Sequence, residues 1–137
     1  MSIVLDASMT IAWLFHDERT PATEAVLRRV VAEGAVVPSL WRIEVANVLR
    51  NAVRRRRCDN AYVDRSLQRL RRLVIETDKE TDDRTWGATL GLAREQDLTL
   101  YDATYLELAI RTDHPLASCD GPLLAAAARR HVKVLAA

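Results

Sequence analysis

Hydrophobic residues in this chain fall into two spacings that alternate along its length. Ile3-Val4-Leu5 is an unbroken apolar run that stops at Asp6. Such a run suits a strand buried on both faces, in the middle of a parallel sheet. Ala35-Val36-Val37, Leu73-Val74-Ile75, Leu116-Ala117-Ser118 and Val132-Lys133-Val134-Leu135 read as four more short strands. Between them the period is helical. Met9 to Phe15 predicts a short helix. Thr20 and Pro21 open a second, as cap and first helical residue, and Gly34 closes it. Ser39 can cap a long helix in which Val45, Val48, Leu49, Ala52 and Val53 form one apolar face. Helices are also predicted over 61–72, 81–95, 101–111 and 122–130, the 81–95 helix with Trp86, Leu90 and Ala93 on one side.

Five short strands alternating with helices predict a single α/β domain over residues 1–137. Its architecture is a three-layer α/β/α sandwich around a five-stranded, mainly parallel sheet. The length agrees, since 137 residues can bury roughly two-thirds of the surface that the unfolded chain exposes. No apolar run approaches the ~20 residues that span a bilayer. The N-terminus lacks a basic segment followed by an apolar core, which predicts no secretory leader. Cys58 and Cys119 lie far apart without Cys-x-x-Cys spacing, and are expected to be free thiols in a reducing cytoplasm.

Charge changes the picture more than composition does. The net charge is +1, yet residues 50–72 hold nine arginines against Asp59 and Asp64, a local +7 that leaves −6 for the rest. A basic block on an otherwise acidic protein points to a polyanion or an acidic partner, and its bland alternative is a solvated helical face. Arg54, Arg55, Arg56 and Arg57 are the densest part and the candidates for contact with a polyanion or an acidic protein segment.

Candidate chemistry lies in four acids. Asp6 and Asp120 each follow a predicted strand, and in open α/β sheets ligands gather beyond the carboxyl ends of strands. Glu44 lies in the first two turns of the long helix, with Asn47 and Asn51 following on the same stripe. Asp102 precedes Tyr105, Leu106 and Ala109 at helical spacing. Each acid also has a structural explanation. Glu44 satisfies a helix-start preference, Thr99 to Asp102 fits a capping box, and Asp120 begins an Asp-Gly-Pro turn. Four acids converging without basic partners would raise one another's pKa values, and a hard divalent cation relieves that. A carboxylate set suits Mg²⁺ or Mn²⁺ better than zinc. His16, His114 and His131 show no metal-ligand spacing. There is no Gly-rich phosphate loop, and Ser8 and Ser118 lack a paired histidine.

Four segments in order carry a resemblance: Val4-Leu5-Asp6-Ala7-Ser8, Ile43 to Leu49, Leu100 to Ala109, and Leu116 to Asp120. Together they closely resemble the PIN-domain ribonucleases, and most of all the VapC-like toxins of toxin–antitoxin pairs. The resemblance covers essentially the whole chain. It implies a Mg²⁺- or Mn²⁺-dependent endoribonuclease that cuts single-stranded or loop RNA to leave 5′-phosphate and 3′-hydroxyl ends. It implies a cognate antitoxin and a homodimer. By the same resemblance Asp6, Glu44, Asp102 and Asp120 form a catalytic, metal-binding quartet supported by Ser8, Asn47 and Ser118. Ser118 stands where threonine is commoner. The residues after Asp120 are Gly121, Pro122 and Leu123, which leaves out the extra acid that some relatives carry.

Two alternatives belong to other classes. A non-catalytic PIN-fold module binding RNA or protein would be expected to have lost acids, and none is missing. An Asp-nucleophile phosphotransferase would favour a second aspartate two positions after Asp6, where this chain has Ser8.

Overall fold

The computed structural model describes residues 2–136 of the chain. Its sheet has five strands, β1 (Ile3–Leu5), β2 (Ala35–Val37), β3 (Ile75–Thr77), β4 (Leu116–Ser118) and β5 (Val134–Ala136). They lie in the order β3-β2-β1-β4-β5, and every pairing is parallel. β1 is central, and Ile3, Val4 and Leu5 are all fully buried, as a strand covered on both faces requires. The order reverses between β1 and β4. Register pairs Leu5 with Ala117, so Asp6 and Ser118 leave the sheet side by side at its carboxyl edge.

The helices are α1 (Ala7–Leu14), α2 (Pro21–Glu33), α3 (Leu40–Arg54), α4 (Asn60–Arg71), α5 (Thr81–Arg84), α6 (Leu90–Gln96), α7 (Leu100–Thr112) and α8 (Gly121–Arg129). α7 packs on β1 and β4 with α6 and α8 beside it, while α1 gathers α2 and α3. Thr20 and Thr23 form a reciprocal capping box at the start of α2. α2 ends on Gly34 at φ 78°, a left-handed backbone where a Cβ would also meet the Val74 carbonyl at 3.2 Å. Arg111, near the end of α7, is only 14% exposed and pairs with Asp78 at 2.7 Å and Glu107 at 2.8 Å. That cluster ties α7 to the loop after β3, which steadies the helix whose first turn carries Asp102.

Four local expectations are corrected. The third strand is Ile75–Thr77 rather than Leu73 to Ile75. The Leu73 amide still bonds to the Leu70 carbonyl, so Leu73 belongs to the turn that ends α4, and the strand is a half-exposed edge with polar Glu76 and Thr77. The fifth strand begins at Val134, two residues late. Ser39 has helical backbone and does not cap α3; its hydroxyl bonds to Asp82 instead. Trp86 does not share a face with Leu90 and Ala93. A π-helical turn over Thr85–Thr89 joins α5 to α6 and shifts the phase, leaving Trp86 91% exposed while Thr89, Leu92 and Ala93 are buried. Cys58 and Cys119 are both free thiols, and no described helix is long and apolar enough to cross a membrane.

Candidate active site

The carboxyl edge of the sheet opens into a cleft of about 480 Å³ lined by Asp6, Ser8, Glu44, Asp102, Tyr105, Cys119 and Asp120, with Glu18 at its margin. Four elements deliver the four predicted acids. Asp6 follows β1 and caps α1, Glu44 stands in the second turn of α3, Asp102 in the first turn of α7, and Asp120 at the start of α8. Among the described lining residues none is Lys or Arg.

Asp6 is only 4% exposed and is held from all sides. Its Oδ1 accepts from the Met9 amide at 2.9 Å and from the Ser8 hydroxyl at 2.8 Å, and its Oδ2 accepts from the Ser118 hydroxyl at 2.6 Å. Each serine has one proton, and both donate it to Asp6. Their oxygens then accept from the chain after β4. The Cys119 amide donates to Ser8 Oγ at 2.9 Å and the Asp120 amide to Ser118 Oγ at 2.9 Å. Two hydroxyl relays therefore fasten β1 to the segment that carries Asp120. Burial raises the Asp6 carboxyl to about 6, with the hydrogen bonds from Ser118, Met9 and Ser8 working against it and the charge of Asp120 adding to it.

Asp102 is placed differently. Thr99 caps α7 by accepting from the Asp102 amide at 3.1 Å, so only half of the expected capping box forms and the Asp102 carboxyl is left to the cleft, where its side-chain partner is Asp120. The Asp120 side chain likewise makes no capping bond to α8. Burial, then the charge of Asp120 and a hydrogen bond to its side chain, then Asp6 and Glu44 push the Asp102 carboxyl up to about 7. Asp120, Asp6 and Glu44 are thus near enough to Asp102 to oppose its ionisation.

Glu44 is half-buried, and burial raises its carboxyl above the ordinary range. The Tyr105 hydroxyl donates to Glu44 Oε1 at 2.5 Å and tempers that rise. Tyr105 itself is pushed well above the ordinary phenol range, first by burial and then by Glu44, so it remains a donor. The sequence pattern marked Tyr105 only as part of an apolar stripe. Its place at i+3 from Asp102 is the one signal that could have drawn it into the site.

Among the predicted supporting residues, Ser8 and Ser118 reach Asp6. Asn47 does not join them: it is exposed on α3 and lies outside the cleft lining. Arg54, Arg55 and Arg56 are exposed at the end of α3. Arg57 is committed within the chain. It pairs with Asp17 at 2.7 Å and Glu18 at 2.8 Å, and its guanidinium stacks 3.8 Å from the Phe15 ring centroid. Glu18 had no sequence signal beyond a polar loop, yet it brings the basic turn to the rim of the cleft.

Among the described residues no three His, Cys, Asp or Glu side chains converge into a finished metal cage. The four acids surround the cleft without closing on a point. Their chemistry nevertheless suits a hard cation. The donors are all carboxylates, their charges are mutually opposed, and no cationic side chain in the lining offsets them.

A family model described as PIN domain matches residues 3–129. PAE2754 from Pyrobaculum aerophilum, a solved structure, superposes with a TM-score of 0.69 at 27% identity, over 92% of this chain and 86% of that one. VapC20 of Mycobacterium tuberculosis, a sarcin–ricin loop cleaving toxin, superposes with a TM-score of 0.65 at 18% identity, over 91% of this chain and 95% of that one. That second likeness is one of fold. No curated protein sequence matches the chain significantly. With nearly all of its length matched by the family model, the chain belongs to the PIN domain family.

Proposed function

We propose that this protein is a Mg²⁺- or Mn²⁺-dependent endoribonuclease that hydrolyses RNA phosphodiesters, and that it is the toxin of a toxin–antitoxin pair. The observation that carries the reading is one cleft at the carboxyl edge of the sheet, lined by carboxylates from four separate elements and by no Lys or Arg. Asp6 and Asp102 are the principal ligands for a divalent cation. Glu44 and Asp120 hold a second ion or orient the attacking water. The cation would supply an acidified water and offset charge on the phosphate and the departing oxygen. The chain supplies orientation: Ser8 and Ser118 fix Asp6 while their oxygens hold the Cys119 and Asp120 amides.

Arg54, Arg55 and Arg56 are exposed and suited to RNA phosphates or to an acidic antitoxin segment, whereas Arg57 orders the rim through Glu18. The VapC-like resemblance supports an antitoxin partner and a homodimer. The loss of acids that a purely binding module would tolerate is not seen here.

Incubation of the protein with a loop-containing RNA tests the reading. Cleavage is expected in Mn²⁺, with 5′-phosphate ends, and neither in chelator nor with Asp102→Asn. Undiminished cleavage in chelator would overturn it. Expression without a partner is expected to slow growth in wild type and not in Asp6→Asn, and equal inhibition by both would place the toxicity elsewhere.

A further inference from the structure

Glu44 differs from Asp6 in what holds it. Asp6 has three protein donors, whereas Tyr105 is the one hydrogen-bond partner that Glu44 has among the described residues. Glutamate has one more rotatable bond than aspartate, and it stands here half-buried on α3, with exposed Ile43 before it and exposed Asn47 one turn after it. Without a partner its carboxylate would sample several rotamers, and holding it in one costs side-chain entropy. Tyr105 comes from the opposite wall. It is 2% exposed, locked by packing, and stands one turn after Asp102 on α7. Its hydroxyl meets Glu44 Oε1 at 2.5 Å, across 61 positions of sequence. One rigid helix thus presents both an acid of the cleft and the group that fixes a second acid from α3.

We infer that Tyr105 is a positioning residue: its buried hydroxyl clamps Glu44 Oε1 and leaves Oε2 as the oxygen offered to a divalent cation. The inference rests on the metal-dependent reading above and adds a residue to it. A phenol is protonated throughout the neutral range, so the clamp donates whether or not a cation is present. Tyr105 touches neither RNA nor the scissile phosphate in this role. It acts through Glu44, as outer partners of metal ligands generally do.

Mn²⁺ affinity measured by calorimetry on the whole chain tests the inference without any use of activity. Tyr105→Phe removes one oxygen and keeps the ring, and is expected to weaken Mn²⁺ binding by about 10-fold, the lower end of the effect of outer-shell partners. Glu44→Ala should weaken it at least as much. Adding Tyr105→Phe to Glu44→Ala should cost nothing further, because the clamp would have nothing left to hold. A merely structural tyrosine would lower stability in both backgrounds and leave affinity unchanged. Full Mn²⁺ affinity in Tyr105→Phe, or an equal loss in both Glu44 backgrounds, overturns the clamp.

Should Tyr105→Phe fail to fold, proton exchange of the phenol decides on intact cores. The proton is expected to be protected in wild type and to exchange faster in Glu44→Ala, and equal rates in the two would overturn the clamp. Wild type that binds no Mn²⁺ overturns the metal reading and the clamp together. Wild type whose Mn²⁺ affinity depends on Tyr105 but which cuts no RNA leaves the clamp standing and overturns only the nuclease.

Discussion

Asp6 and Asp102 both carry carboxyls well above the ordinary range, and they arrive there by different routes. Asp6 is buried at the end of the central strand, and three donors offset part of what burial costs it. Asp102 is less buried and lacks such compensating donors, so the charge of Asp120 and a hydrogen bond to it, then the charges of Asp6 and Glu44, add to its burial. The difference separates two jobs. Asp6 is a fastener as well as a proposed ligand, because its serines also hold the chain around Asp120. Asp102 does no capping with its carboxyl, since Thr99 caps α7, and its side-chain partner is another acid, Asp120. An acid that costs stability and whose partner is a second acid is the stronger evidence of function.

The largest effect expected from this contrast is on cleavage. Asp102→Asn and Asp6→Asn should each lower RNA cleavage beyond the ~10–100-fold typical of losing an outer-shell partner. Ser118→Ala should fall within that outer-shell range, and it should also cost about 1–2 kcal/mol by stripping a donor from Asp6 and an acceptor from the Asp120 amide. Rate assays and denaturant melts on the three variants check this. Ser118→Ala with normal stability and normal rate would break the fastener reading.

pH separates the same two acids. The folded chain holds a proton on Asp6 up to about 6 and on Asp102 up to about 7, whereas both ionise near 3.8 when unfolded. Between those limits the native state binds more protons, so metal-free stability should fall as pH rises from about 4 to about 7. For Asp6 alone the fall is roughly 2–3 kcal/mol, because each pH step between its unfolded and folded values is worth ~1.4 kcal/mol. Denaturant melts in chelator across that window read the slope, which Asp6→Asn and Asp102→Asn should each flatten. Mn²⁺ should reverse it, because the cation binds the ionised acids.

How much of this was legible in the sequence depends on where each residue's signal lies. Asp6 and Asp120 follow apolar strands, and β1 and β4 proved adjacent, so position alone brought them together. Glu44 looked like an ordinary helix-start acid, and only the family pattern singled it out. Tyr105 was hidden because an aromatic at helical spacing serves the core whether or not its hydroxyl reaches an acid. Glu18 was hidden because its role depends on Arg57 folding back onto the turn that carries it. Trp86 was misplaced by a π turn that periodicity cannot foresee, and β3 by an apolar helix tail beside a polar edge strand.

A smaller effect probes the basic region while leaving both acids intact. If Arg54, Arg55 and Arg56 contact phosphates, each one neutralised should flatten the salt dependence of RNA binding, lowering the slope of log K against log salt by about 0.7 for a single strand. Arg57, already paired with Asp17 and Glu18, should change that slope less. Equal slopes in all variants would make the block a solvated face or an antitoxin contact.

The central claim is that four opposed carboxylates are a cation site, and thermal melts of wild type and Asp102→Asn at pH 8, in chelator and in Mn²⁺, test it most directly. Two carboxylates ~6 Å apart repel by roughly 3 kcal/mol at an effective dielectric near 20, and solvent and salt reduce this. Asp102→Asn should therefore stabilise the metal-free chain by about 1 kcal/mol, and Asp6→Asn should not, because its amide would break the serine relays. Wild type should gain roughly 2.7 kcal/mol at a Mn²⁺ concentration 100 times its dissociation constant, and Asp102→Asn much less. An Asp102→Asn chain that is destabilised in chelator and keeps the full response to Mn²⁺ would contradict the account.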